Sequence, residues 1–423
     1  MFGCGNRSLP WHPLLTGYLP VYKEYKLRIP PHPRYTLCFP PPMSGPRLEH
    51  IGSLKRPDIL LQNRSDYELG KCTVEELRAC EDACIAEIVR LQLDLGFEVI
   101  TDGEFRRDIF YTGFYDKLSG LKDVPDAPEY MFQPFNFVQA WPVTHICVER
   151  LRRTSSVYGD EFEFMKEVAG SQNVSKIKLT IGAPEWYHFR HGKYTYEPTA
   201  YTNDVDYFAD VSRIYREEIR DLYARGCRKL QIDDPILSCF CDTEWRGRME
   251  QAGVDPEELF QLYLDVYNDC LRDKPRDMII GLHICRGNVK PDGSPFTRGP
   301  YDNIARKLLT TLNFDCYYLE YDTKEAGSFA PLRFLPPNKR VVLGLVSTKT
   351  PVLEDPDELR GRILQAAEVI AHGEIPRTKE EALNQLSISP QCGFASHSRG
   401  FAFVTHEDMV QKLKLVRDVA HMV

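Results

Sequence analysis

What this 423-residue chain has little of narrows its possible uses. It has no run of 18 apolar residues, so no segment reads as a membrane-spanning helix. Its first twenty residues, MFGCGNRSLPWHPLLTGYLP, show no continuous apolar stretch behind a basic start. No secretory leader is expected on that ground, and the chain reads as soluble and cytoplasmic. Positive charge is in deficit: 53 Lys and Arg stand against 61 Asp and Glu, a net charge of −8. A nucleic-acid partner needs a basic face for its phosphates, so none is expected, and no membrane partner either. The 13 cysteines include no C-x-x-C pair. An odd, scattered set in a chain of this length reads as reduced thiols rather than a disulfide framework. No Gly-rich phosphate turn follows the first predicted strand, where HIGSLKRP (50–57) stands. That counts against the commonest use of a doubly wound sheet. Nothing in the sequence sets an oligomeric state.

What is present is globular: 43% apolar and 27% charged residues. Residues 1–46 carry PWHP, RIPPHPRY and CFPPPMSGP without helical or strand period, and read as an extended Pro-rich N-terminal arm outside the fold. From residue 47 onward, eight apolar runs predict strands at 47–53, 97–104, 176–183, 227–236, 277–285, 316–322, 340–348 and 385–392. Helices are predicted between them. Thr73-Val-Glu-Glu76 is a capping box opening one that runs to about Leu95, and Thr405 with Asp408 has the same pattern. Others fall near 204–225, 255–273, 300–313 and 356–372. Strand then helix, repeated eight times, predicts an α/β fold of the (β/α)₈ TIM-barrel type over 47–423, with a doubly wound sheet as the alternative. The stretch 106–174, after the second strand, is too long for one loop. It holds Trp141, YMFQPFNF and a hairpin-like segment, and reads as an insertion forming a lid or substrate wall.

A barrel carries its active site at the carboxyl ends of its strands. This chain places His50, Ser53, Asp102, Glu104, Asp233, Asp234, His283, Cys285, Glu320, Lys349 and Cys392 there. Some have plain explanations. Asp233-Asp234-Pro235 fits a helix-capping turn, Glu104 an ion pair with Arg106 or Arg107, and Lys349 a solvated loop charge. Four do not. An imidazole (His283) and two thiols (Cys285, Cys392) converging from strand ends, with Glu320 as a carboxylate, match the donor set of a tetrahedral Zn²⁺ site with one displaceable ligand. His-Ile-Cys occurs twice, at His145–Cys147 as well. The first copy lies in alternating, hairpin-like sequence, whereas the second ends an apolar run before a turn, so the second is taken as the metal-binding one.

HIGSLKRP, TDGEFRR, LQIDDP, HICRGN, YLEYD, LGLVSTKTPVLE and SPQCGFAS together resemble the catalytic barrel of cobalamin-independent methionine synthase, and more closely its stand-alone single-barrel members. The resemblance covers about residues 46–423. It implies transfer of a methyl group from a 5-methyltetrahydrofolate to homocysteine, with Zn²⁺ held by His283, Cys285, Glu320 and Cys392. It also implies that Asp233 and Glu104 hold the amino group of the substrate thiol and that the Ile51–Ser53 turn receives its carboxylate. The implied partners are thus a small-molecule thiol and a methyl donor. The chain departs from the full-length synthases in having Leu345-Val346-Ser347 where they carry a His in a D-I-H-S stretch. It also has Pro184 at the pterin-stacking position, with Trp186 two residues on, and no counterpart of the amino-terminal barrel. The alternatives are a zinc-dependent thiol alkyltransferase or lyase like the coenzyme M transferases, which Arg286 would suit, or a non-catalytic zinc-binding relative.

Overall fold

Parallel strands buried on both faces need apolar residues without alternation, and the segments IIGLHI and RVVLGLV supply them. The computed structural model describes residues 47–132, 143–287, 294–396 and 403–423. The Pro-rich arm at 1–46 and Trp141 lie outside the described residues. The strands are β1 (Arg47–Leu48), β2 (Leu118–Pro125), β3 (Val143–Arg153), β4 (Lys178–Gly182), β5 (Lys229–Asp234), β6 (Ile279–Ile284), β7 (Cys316–Glu320), β8 (Arg340–Val346) and β9 (Leu386–Pro390). Seven of them form one curled parallel sheet in the order β1-β9-β8-β7-β6-β5-β4, a TIM-barrel-like arrangement. Helices cover its outer face and share its core.

Local chemistry fixes the helix starts. Thr73 and Thr405 each accept a hydrogen bond from the backbone three residues on, while Glu76 and Asp408 return one. These boxes open the helices Val74–Asp94 and His406–Ala420, as their sequences predict. Asn203, Asp255 and Asp355 cap the helices Asp204–Ala224, Pro256–Cys270 and Pro356–Ala371 with a side-chain oxygen.

Two predicted strands scarcely form a ladder. Of 47–53 only Arg47–Leu48 forms a ladder, and of 97–104 only Ile100 does, as a single parallel bridge to Ile177. Side chains have taken the backbone groups a ladder would use. The Gln92 amide both donates to the Thr101 carbonyl and accepts from its N–H, each at 2.9 Å. Thr101 Oγ1 donates to the Gly52 carbonyl at 2.7 Å, and His50 Nε2 lies 3.2 Å from the Val99 carbonyl. Segment 99–103 still fills the place between β1 and β4, because Lys178 N–H donates to Ile100 and Leu54 N–H to Gly103.

β2 and β3 form a separate antiparallel pair. Its described part packs on the outer wall, where Arg150 and Arg153 meet Asp210 and Glu218 of helix Asp204–Ala224. No helix among the described residues is long and apolar enough to cross a membrane.

Candidate metal centre

Register sets the first contact. Asp233 on β5 is the direct neighbour of His283 on β6, and in-register residues of adjacent strands face the same side. Asp233 Oδ1 consequently accepts from His283 Nδ1 at 3.0 Å. That bond puts a ring proton on Nδ1 and turns Nε2, buried and without a hydrogen-bond partner, toward the other donors. Metal-ligating histidines are commonly held this way by a carboxylate behind them.

Three more donors gather around Nε2. Glu320 closes β7 with Oε1 3.5 Å from it, and that oxygen accepts the Arg286 backbone N–H at 2.9 Å. Cys285 follows β6, Cys392 follows β9, and their sulfurs are 3.6 Å apart. The Gly287 N–H donates to Cys285 Sγ at 3.3 Å. All four ligand atoms lie within 4.8 Å of one another. With Zn–S near 2.3 Å and Zn–N or Zn–O near 2.0–2.2 Å, the edges of a tetrahedral site are roughly 3.4–3.8 Å. The observed 3.6 and 3.5 Å spacings fit zinc.

The charges point the same way. Burial pulls the His283 imidazole down, but its bond to Asp233, the facing Glu320 carboxylate and the neighbouring Cys392 outweigh this and push it up to about 10. Its hydrogen bond to Cys392, then burial, raise the Cys285 thiol well above its ordinary value. Burial works against ionisation of Glu320, yet the facing His283 imidazole and the charge of Lys349 hold that carboxyl below its usual value. These buried donors favour a cation among them. A proton on His283 fills that place when no metal does, and metal binding would release it.

The other His-Ile-Cys copy is structural. His145 bonds Asp123 across the hairpin at 2.9 Å, and Cys147 is buried with its N–H on the Thr195 carbonyl.

A second group adjoins the ligands. Glu104 holds a left-handed backbone, φ 59°, strained for a residue with a side chain, and its N–H bonds Asp102 Oδ1 at 2.8 Å. Its Oε1 accepts from Thr180 at 2.8 Å and lies 3.9 Å from Arg107, whereas Oε2 is buried without a hydrogen-bond partner. Burial outweighs Arg107 and, with Asp233 nearby, pushes the Glu104 carboxyl up to about 7. The Ile51–Ser53 turn lies against this pair. A Cβ on Gly52, whose φ is +146°, would come within 2.7 Å of Thr180 Cγ2 and 3.3 Å of Glu104 Oε1. Gly393, next to Cys392, admits Ser53 so closely that an added Cβ would sit 1.8 Å from Ser53 Oγ.

Gln231 joins these parts. Its Nε2 donates to the Ile51 carbonyl at 2.7 Å and to Asp233 Oδ1 at 2.6 Å, while Lys178 fixes its orientation by donating to Oε1 at 2.7 Å. Both Asp233 hydrogen bonds use Oδ1. Gln231 was not singled out from sequence, although it shares a strand face with Asp233 two residues on.

Asp234 caps the next turn, accepting from the Ile236 and Leu237 N–H groups. Trp186 follows β4 and packs 4.7 Å from the Tyr111 ring and 5.7 Å from Phe110, with Arg190 over its face. Lys349 is not the solvated charge its sequence suggests. Its side chain is 8% exposed, 3.3 Å from Asp322 and 3.9 Å from Glu320 Oε2. Arg286 stacks over Tyr301 and donates to its hydroxyl at 3.1 Å.

The family profile of the cobalamin-independent synthase catalytic domain matches residues 197–421. The uncharacterized protein YxjH of Bacillus subtilis (strain 168) is 34% identical over 89% of this chain and 94% of its own length. A methionine synthase of Saccharolobus solfataricus is 24% identical over 87% and 94%. A Listeria monocytogenes structure, solved as a candidate vitamin-B12 independent methionine synthase, superposes with a TM-score of 0.68 at 29% identity, covering 90% of this chain and 98% of that one.

Proposed function

The chain belongs to the cobalamin-independent synthase catalytic-domain family, and from that membership we propose that it is a zinc-dependent methyltransferase acting on homocysteine. The methyl group comes from a 5-methyltetrahydrofolate and the product is methionine, on a single (β/α)₈ barrel over residues 47–423. The observation that carries this reading is the His283, Cys285, Glu320, Cys392 quartet, buried but for the half-buried Cys285, with Asp233 behind the histidine and near the carboxylate of Glu104. We place the chain in a reducing, cytoplasmic setting, where the described cysteines would remain free thiols.

Zinc bound by these residues would deprotonate a substrate thiol near neutral pH and hold it as a nucleophile. The protein's own groups do the positioning. Asp233 holds His283 in the tautomer that presents Nε2. The Gly287 N–H eases the negative charge on Cys285. Glu104 Oε2 and the second oxygen of Asp233 receive the substrate ammonium, while the Ile51–Ser53 turn takes its carboxylate. An ammonium placed there also relieves the repulsion between the two acids, so binding it ionises Glu104. A pterin would pack beside the aromatic group that Phe110, Tyr111 and Trp186 form. The amine leaving the methyl group needs a proton. Val346, fully buried, stands where full-length synthases carry a histidine, so another group supplies it.

Two carboxylates facing the substrate favour an amino-acid thiol over a sulfonate thiol. Titration of zinc-loaded protein with homocysteine and with its des-amino analogue tests this, alongside an assay for methionine made from 5-methyltetrahydrofolate. Homocysteine should bind at least about tenfold more tightly, the value of a hydrogen bond to a charged group, and methionine should form. Equal binding of the two thiols together with no methionine would overturn the proposal.

A further inference from the structure

The loop after β8 carries an ammonium that the metal centre as described leaves unused. Glu320 is fully buried, its Oε1 is engaged by the Arg286 N–H, and its Oε2 has no hydrogen-bond partner. Lys349 Nζ stands 3.9 Å from that oxygen, beyond hydrogen-bond reach but within that of an ion pair. The lysine is held there from behind. Asp322, 2% exposed at its side chain, lies 3.3 Å from Nζ with the same oxygen that accepts from Ser347 Oγ at 3.1 Å. Ser347 is itself pinned, its N–H on Glu354, which in turn meets the buried Lys412. Among the described residues Lys349 is the one Lys or Arg side chain within 4 Å of the Glu320 carboxylate.

From this geometry we infer that Lys349 is a positioning residue that receives the Glu320 carboxylate when a substrate thiol takes its place at the metal. The inference rests on the functional reading given above. A third sulfur entering the quartet adds negative charge to a buried site, and a displaced Glu320 cannot escape to water. A buried carboxylate without a counter-ion costs several kcal/mol. An ammonium has three donors, so Lys349 can keep Asp322 and take Glu320 Oε2 after a small movement. Its charge also draws on Glu320 before displacement, which weakens that carboxylate as a ligand.

The test uses the full chain with zinc, and with cobalt in its place, as wild type, Lys349→Met and Lys349→Arg. Wild type should show new sulfur-to-cobalt absorption as homocysteine is added. Lys349→Met should take up the same amount of metal and release it to a chelator no faster than wild type. It should need about tenfold more homocysteine, or greater, to give the spectral change, and Lys349→Arg should recover most of that loss. A lysine serving the fold alone would lower the melting temperature and speed metal release while leaving homocysteine affinity unchanged, and that result overturns the inference. If wild type itself shows no spectral change with any thiol, Glu320 is not displaced. Both this inference and the functional reading then fall, whereas a normal wild-type response with an indifferent Lys349→Met removes this inference alone.

Discussion

Asp233 Oδ1 lies 3.0 Å from His283 Nδ1 and also accepts from Gln231, so under the proposed function its first oxygen would orient a metal ligand and its second would be left for substrate. The family resemblance implies only a substrate role for Asp233. The structure predicts that Asp233→Asn damages both functions. Zinc affinity should fall by about tenfold, the lower end for loss of a partner behind a ligand, and homocysteine affinity by about 1.5–3 kcal/mol. Competition with a chromophoric chelator measures the first and calorimetry the second. Loss of thiol binding with zinc affinity untouched would mean that the Asp233–His283 bond does not support the metal.

The two His-Ile-Cys copies should separate cleanly. Cys392→Ser should lose most of its zinc, whereas the double change His145→Ala with Cys147→Ala should keep about one zinc per chain. The double variant should instead lose thermal stability, since Cys147 is buried between the hairpin and Thr195. Metal analysis after gel filtration decides it, and zinc loss from the hairpin variant would reverse the choice of copy.

Glu104 gives a pH signature. Its carboxyl sits near 7 in the fold against an ordinary 4.5. Between those values the folded chain keeps a proton that the unfolded chain has lost, so this group makes stability fall as pH rises through the window and contributes a constant penalty above it. Glu104→Gln should therefore match wild type near pH 4 and exceed it by about 3 kcal/mol at pH 8. Denaturant melts at the two pH values check the difference, and a stabilisation independent of pH would contradict the assignment. The same variant should bind homocysteine more weakly.

Gly393→Ala probes the close approach of Ser53. A methyl placed 1.8 Å from Ser53 Oγ forces the turn away, at a cost of about 1–3 kcal/mol. The displaced turn should weaken binding of the substrate carboxylate while zinc stays. Unchanged melting temperature and affinity would show that the turn yields freely.

Much of this was legible in the sequence, for reasons particular residues make plain. β5 to β9 announce themselves because both faces of a parallel sheet are buried, leaving uninterrupted apolar runs whose polar ends are the site. The four ligands each close or follow such a run. The second predicted strand, 97–104, was not legible as a single bridge, because the Gln92 amide that satisfies Thr101 comes from the preceding helix. Lys349 looked like a loop charge because its partner Asp322 belongs to another strand's loop, brought near only by the β7–β8 pairing. Gln231 could have been found, since its parity with Asp233 places an amide on the inner face.

X-ray absorption at the zinc edge, before and after adding homocysteine, tests the central claim most directly. The resting shell should hold two sulfurs, one nitrogen and one oxygen, from Cys285, Cys392, His283 and Glu320. With homocysteine the oxygen should give way to a third sulfur. A resting shell without sulfur, or one that no thiol alters, would contradict it.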